Sequence, residues 1–276
     1  MEKLRRVERV AALTKLLTDM PGHLFSLGAF SQTFGAAKST LSEDMVTIRQ
    51  ALAELGMGLL ETVPGAAGGV RYLPNYSKER MQAVLDELAV KLSAPERIIP
   101  GGFLYMTDLL FQADRMARVG EIFRTRFAHL QPDYIMTVET KGIPLAFMTA
   151  RAFGIPLVTA RRGSKVTEGS SVNINYVTGS SKRIQTMSLP RRAIEPGSKV
   201  LIIDDFMKAG GTARGMADLA QEVGGRVVGI GVLVATIEPE EKLIENYLAL
   251  LTLHAVEQQK KTIDIRPLQP DAALAE

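Results

Sequence analysis

Hydrophobic residues recur at helical spacing through the first third of the chain. Across residues 5–17, Val7, Val10, Ala11, Leu13 and Leu17 share one face, and Pro21-Gly22 ends the run. A short apolar stretch over 27–34 is broken by Gly35. Thr40-Leu41-Ser42-Glu43 then reads as a capping box. Behind it Leu41, Met45, Ile48, Leu52 and Leu55 form the cleanest helical stripe in the chain, stopped by Gly56 and Gly58. Residues 59–63 and 70–73 predict two strands joined by the glycine-rich tip Pro64-Gly65-Ala66-Ala67-Gly68-Gly69. Three helices followed by a hairpin is the order of a winged helix-turn-helix; a small helical dimerisation module fits the same pattern. A fourth amphipathic helix spans 77–93, with Met81, Val84, Leu85, Leu88 and Leu92 on one side, and Pro95 and Pro100-Gly101-Gly102 mark a boundary.

Beyond residue 102 the rhythm alternates. Strands are expected at 134–138, 157–160, 200–203 and 227–235, with helices at 143–153 and 212–223. Strands separated by helices imply a mostly parallel sheet covered on both faces, an α/β domain. The division expected is 1–74 for the winged helix, 75–101 for a linker helix and boundary, and 102–276 for the α/β domain. Between Gly163 and Gln185 a Gly/Ser-rich segment alternates on either side of Gly179-Ser180-Ser181, which suggests a functional flap.

Composition narrows the chemistry. The chain has 276 residues and no cysteine, which excludes a disulfide scaffold, a thiolate metal site and a cysteine nucleophile. His23, His129 and His254 are scattered, which argues against a histidine zinc site; no catalytic residue and no metal ligand is assigned. The start MEKLRRVERV lacks the apolar core of a signal peptide, and the longest apolar run, 227–235, falls short of the roughly 20 residues a membrane span needs. A soluble, cytoplasmic protein is the expectation. A net charge of only +3 does not by itself point to nucleic acid.

The most informative stretch is VLIIDDFMKAGGT, residues 200–212. A buried strand delivers Asp204 and Asp205 to its carboxyl end, where open α/β sheets bind ligands. Lys208, Ala209, Gly210, Gly211 and Thr212 then lead into a helix whose N-terminus favours an anion. Acids for neighbouring hydroxyls and a loop for a phosphate together fit a ribose 5-phosphate. Neither GxxxxGK[ST] nor GxGxxG is present. A second anion site is suggested by Thr140, Lys141 and Gly142 after one strand and by Arg161, Arg162 and Lys165 after the next.

The stretch resembles the phosphoribosyl-pyrophosphate (PRPP) motif of type I phosphoribosyltransferases. That resemblance implies that the acids hold ribose hydroxyls, the Lys208 to Thr212 loop holds the 5-phosphate, and the Lys141 and Arg161 loops hold pyrophosphate with Mg²⁺. Lys208 and Ala209 depart from the small hydroxyl residues usual in the enzymes. Lys208 is similar instead to the motif of the purine operon repressors of Gram-positive bacteria, which the chain resembles over nearly its full length. SEDMVTI, TVPGAAGGVRYLP, PERIIPGG, TKGIPLA, KVTEGSSVNINYVTGSSKRIQTMSL and VLIIDDFMKAGGT carry the likeness. The resemblance implies a winged helix fused to a phosphoribosyltransferase-like domain without turnover. It further implies a homodimer on double-stranded operator DNA upstream of purine genes, PRPP as inducer, and ppGpp as a competing effector.

Bulk charge does not drive DNA binding in the first 74 residues, where 8 cations face 7 acids. Placement has to do so. Lys38, Ser39, Thr40, Ser42 and Arg49 lie on or beside the third helix, Arg71 lies on the wing, and Arg5, Arg6 and Arg9 line the first helix. Lys182-Arg183 and Arg191-Arg192 serve either phosphate contact or solubility. The rival reading is an active purine phosphoribosyltransferase with an accessory DNA-binding domain.

Overall fold

The computed structural model describes residues 4–163, 169–177 and 184–269. They divide into two compact units, Met1–Ser77 with Arg151–Gly154, and Lys78–Ala150 with Ile155–Glu276.

The first unit is built from α1 (Arg6–Asp19), α2 (Leu27–Phe34), α3 (Lys38–Glu54), β1 (Met57–Val63) and β2 (Gly69–Tyr76). Its core joins Leu13 and Leu17 of α1, Phe30 and Phe34 of α2, the α3 stripe Leu41, Met45, Ile48 and Leu52, and Leu60, Val70 and Tyr72 of the antiparallel hairpin. Ser26 caps α2 by accepting the Ala29 amide at 3.0 Å. Gly35, at φ +60°, closes the helix as a left-handed C-cap. Phe25 adds a bridge to Val70 that the hydrophobic pattern does not announce. Two expectations are corrected. The Thr40–Glu43 capping box does not form, because α3 begins at Lys38 with Ala37 as N-cap and both residues lie inside the helix. Leu55 leaves the apolar stripe as the C-cap and is 66% exposed.

The second unit comprises α4 (Lys78–Leu92), β3 (Ile98–Ile99), β4 (Phe103–Leu104), α5 (Thr107–Leu110), α6 (Ala113–Phe127), β5 (Tyr134–Val138), α7 (Ile143–Phe153), β6 (Leu157–Ala160), β7 (Ser171–Val177), β8 (Ile184–Pro190), β9 (Lys199–Met207), α8 (Gly211–Glu222), β10 (Arg226–Thr236), β11 (Leu248–Glu257) and β12 (Thr262–Pro267). The central sheet runs β12-β11-β10-β9-β5-β6, parallel except for the antiparallel edge strand β12. Its middle strand β9 is buried from Val200 to Asp204, as a strand covered on both faces must be. The helix read as a linker, α4, groups with this unit, and Pro100-Gly101-Gly102 turns a short antiparallel ribbon, β3–β4, inside it. The arms of the Gly/Ser-rich segment form the β7–β8 hairpin, whose Val172, Tyr176, Met187 and Leu189 are buried in the core beside Met216 and Leu219 of α8. Its expected tip, Gly179 to Ser181, lies outside the described residues. No described helix is long and apolar enough to cross a membrane.

Candidate functional site

β9 runs to Met207, so Asp204 closes its buried segment and Asp205 follows it, both within the last four residues of the strand. Asp204 is 5% exposed, and its Oδ1 accepts the Asp205 amide at 3.0 Å. Burial, and then the neighbouring Asp205 charge, push the Asp204 carboxyl well above the ordinary range. Burial also raises Asp205, opposed by the hydrogen bond from Asp204 and by the positive charge of Lys141. Two desolvated carboxyl groups side by side are suited to hydrogen bonds with neighbouring hydroxyls.

After Met207 the chain turns through Lys208, Ala209 and Gly210 into α8. Gly210 is its N-cap at φ +81°, a conformation a side chain resists. A strap after β10 braces this loop: the Leu243 amide donates to Ala209 O at 2.8 Å, and Lys242 Nζ donates to Thr236 O at 2.8 Å. Arg162, Asp204 and the whole run Lys208 to Thr212 line one cavity of about 500 Å³. Gly101 to Leu104, Tyr176, Gln185, Phe206, Met207, Ala213, Thr236 and Leu253 complete its wall. The Tyr176 hydroxyl donates to Gln185 Oε1 at 2.8 Å. Burial raises this phenol, while the Arg162 charge and a hydrogen bond with Thr212 pull it down.

The second anion loop is placed less directly. Asp205, Thr140, Lys141, Gly142 and Arg161 do not line the cavity, although Lys141 is close enough to bias Asp205. Arg162 lines it in place of Arg161, whose backbone is committed to a two-way bridge with Ser188. Arg162 is held there by its own amide, which donates to Glu139 Oε1 at 2.7 Å. Lys165 lies outside the described residues. Gly142 fits tightly: a Cβ there would meet Thr137 Oγ1 at 2.6 Å and Asp204 Oδ1 at 2.9 Å. We therefore expect Gly142→Ala to cost about 1–3 kcal/mol through overpacking, and Thr137→Ala added to it to recover part of the loss. Thermal denaturation of the single and double variants checks this; an unchanged single variant would refute the close fit.

In the first unit, Lys38, Ser39, Ser42, Glu43, Val46, Thr47 and Gln50 present an exposed α3 face, with Thr40 half-buried beside it. Among the cations the structure separates two kinds. Arg5 pairs with Glu8 at 2.5 Å, and Arg71 with Glu61 at 2.5 Å. Exposed pairs like these contribute only ~0–1 kcal/mol, so a DNA phosphate can compete for the cation. Arg9, by contrast, is 6% exposed and gives its Nε to Asp44 Oδ2 at 2.5 Å, which removes it from any outward surface. Asp44 also receives the exposed Arg6 at 3.4 Å, and Arg6 reaches Thr47 Oγ1 at 3.0 Å. Arg49 ties α3 to the wing through Leu60 O at 3.0 Å and Thr62 Oγ1 at 2.6 Å. Its first role is therefore to fix the wing against the helix.

Comparison with known proteins follows the same two-unit division. Residues 5–74 match the N-terminal domain of bacterial purine repressors, and residues 108–267 match the phosphoribosyl transferase domain. The chain is 47% identical over 264 residues to the purine biosynthesis transcriptional repressor of Bacillus subtilis (strain 168), covering 96% of this chain and 93% of that protein. The chain belongs to the bacterial purine repressor family. A further relative of this repressor family member is the purine biosynthesis transcriptional activator of Lactococcus lactis subsp. lactis (strain IL1403). It is 37% identical over 263 residues, covering 95% of this chain and 97% of the relative. Among solved structures, adenine phosphoribosyltransferase from Rhodothermus marinus DSM 4252 superposes with a TM-score of 0.51 at 23% identity, over 62% of this chain and 99% of that one. The second unit of the repressor family member thus has the type I phosphoribosyltransferase fold.

Part of the cavity wall leaves no signal in the sequence. Tyr176 and Gln185 lie in the Gly/Ser-rich segment with no pattern that assigns them a role, and Gly101-Gly102 has the composition of a domain boundary. A ribbon of two-residue strands leaves almost no periodic signal, so only its glycine pair was visible.

Proposed function

We propose that this chain is a DNA-binding transcriptional regulator of purine biosynthesis genes, acting as a repressor. In this reading the exposed α3 face enters the major groove of operator DNA, and PRPP in the 500 Å³ cavity lowers operator affinity as inducer. The observation that carries it is the convergence of Asp204 and the Lys208 to Thr212 loop on one cavity, with Asp205 beside Asp204, in a chain whose residues 5–74 match a repressor domain. ppGpp competes for the same cavity. The protein acts as a homodimer without turnover. Mg²⁺, as a hard cation preferring oxygen, suits the phosphates of the ligand: among the described residues no cluster of three or more His, Asp or Glu could hold a metal. Asp204 and Asp205 would then orient the sugar that carries those phosphates.

Repression is favoured over activation by the higher identity to the repressor of Bacillus subtilis, 47% against 37% for the activator of Lactococcus lactis. An electrophoretic shift with DNA from upstream of purine genes tests the proposal. A shift weakened at least about tenfold by PRPP is expected; a shift indifferent to PRPP, or none, overturns it. One observation favours an active enzyme as a second reading. The xanthine phosphoribosyltransferase of Geobacillus thermodenitrificans (strain NG80-2) is 34% identical over 152 residues, covering 54% of this chain and 78% of that enzyme. Pyrophosphate release from PRPP in the presence of a purine base would establish that alternative.

A further inference from the structure

The ribbon β3–β4 forms one side of the cavity through Gly101, Gly102, Phe103 and Leu104, yet it has little to hold it. Two residue pairs, Ile98 with Leu104 and Ile99 with Phe103, make up the whole of its strand pairing. Its base is fixed by Arg97, which donates to Lys91 O at 2.7 Å, to Tyr105 O at 3.0 Å and bidentately to Asp108 at 2.7 and 3.0 Å. None of these contacts reaches the tip. There the backbone passes through Gly101 at φ +92° and Gly102 at φ +73°; the Gly102 amide donates to Ile99 O at 3.2 Å and closes the turn, and the Gly101 and Gly102 amides share one outside acceptor position, a small nest.

Gln258 fills that nest from another element. It follows β11, the strand whose Leu253 also lines the cavity. One carboxamide orientation gives a single bond from Nε2 to Ile99 O at 3.3 Å; the orientation that satisfies both amides gives that up, and the oxygen then accepts from the Gly101 amide at 3.0 Å and the Gly102 amide at 2.6 Å. The turn that carries Gln258 is exposed and is braced by an ion pair between Lys260 and Glu257 at 2.6 Å.

We propose that Gln258 is a positioning residue for the effector cavity: its carboxamide clasps the Gly101-Gly102 tip and so fixes the ribbon side of the wall. The consequence is selective. A ligand confined to Asp204, Asp205 and the phosphate loop does not depend on the ribbon, whereas one whose ring extends from the sugar toward Phe103 and Leu104 does. Gln258 therefore tunes discrimination between a bare sugar phosphate and a purine nucleotide. This role rests on the functional reading above, but the clasp itself does not.

The test compares full-length wild-type protein with Gln258→Ala and Gln258→Glu, the second keeping an acceptor for both amides. Hydrogen exchange over residues 98–104 without ligand should speed up by about tenfold in Gln258→Ala and stay near wild type in Gln258→Glu. Calorimetric titration should show affinity for guanosine 5′-diphosphate falling by about three- to tenfold in Gln258→Ala, the size of one net hydrogen bond, with rescue in Gln258→Glu. Affinity for ribose 5-phosphate should change less than about twofold. Exchange that is the same in wild type and Gln258→Ala overturns the clasp. Equal losses for both probes overturn the selective role. Wild-type protein that binds neither probe overturns the functional reading together with that role, while the exchange result still decides the clasp.

Discussion

Replacing Asp204 and Asp205 together by asparagine is expected to abolish the PRPP response and, at the same time, to make the protein harder to melt. The two effects have one cause. Burial raises both carboxyls, so the folded protein retains protons that the unfolded chain releases. The stabilising contribution of a raised acid is complete below the ordinary carboxylate range, near 4, and is lost as pH climbs through the raised folded value. At neutral pH the pair is therefore a liability to the fold, and neutral amides relieve it. The same substitution removes the charged acceptors for the ribose diol. Two charge-assisted hydrogen bonds at about 1.5–3 kcal/mol each predict a loss of at least about 100-fold in PRPP affinity. Calorimetry measures the second effect and differential scanning the first. A variant that still answers to PRPP within a few-fold would remove the sugar-phosphate site from this pair. Asp108 behaves in the opposite sense. Arg97 holds it below the ordinary range, so its contribution is present at neutral pH and fades only as pH falls through that lowered value.

The second large effect belongs to the first unit. Asp44→Ala would leave Arg9 buried without its carboxylate, and breaking a buried pair in this way costs about 3–5 kcal/mol. That is a large share of the stability of a small domain. Loss of operator binding is expected, together with a lowered melting transition, while PRPP titration of the second unit stays near wild type. The matched exchange of both partners for apolar residues, Arg9→Met with Asp44→Leu, should restore the melting transition, since a well-packed apolar pair replaces a buried ion pair at little or no cost. Retained DNA affinity in Asp44→Ala would mean that the pair contributes little to holding α1 against α3.

Much of the fold could be read from the chain because its core elements follow simple periodicities. The α3 stripe from Leu41 to Leu52, the strand over 134–138, the helix over 143–153 and the strand over 157–160 coincide with what their spacing predicts. Two kinds of element escaped. α6 carries Met116, Val119, Phe123 and Phe127 at helical intervals, but the pattern is interrupted by the buried Arg115 and by Gly120. Gly120 is there for packing: a Cβ would meet the Met148 carbonyl carbon at 2.7 Å, so the glycine lets α6 approach α7 closely. β11 and β12 pair with each other at the sheet edge, after a loop that dilutes the βα rhythm. At the site, Asp204, Asp205 and the glycine loop were visible because their chemistry is local. Arg162 was visible as a cation after a strand end, whereas Tyr176 and the ribbon were not, since tertiary packing alone brings them to the cavity. Asp44 was counted as one acid among seven; its burial against Arg9 depends on how two helices cross, which no local spacing encodes.

One contact seats the hairpin on α8. The Tyr176 ring lies so near Gly215, one turn into α8, that a side chain at 215 would stand 3.0 Å from it. The aromatic plate therefore rests on bare helix backbone, and the hairpin arms share a fulcrum with the helix whose first residues line the cavity. Any small rotation of that helix end is passed on rigidly to the arms, with no compliant side chain between to absorb it.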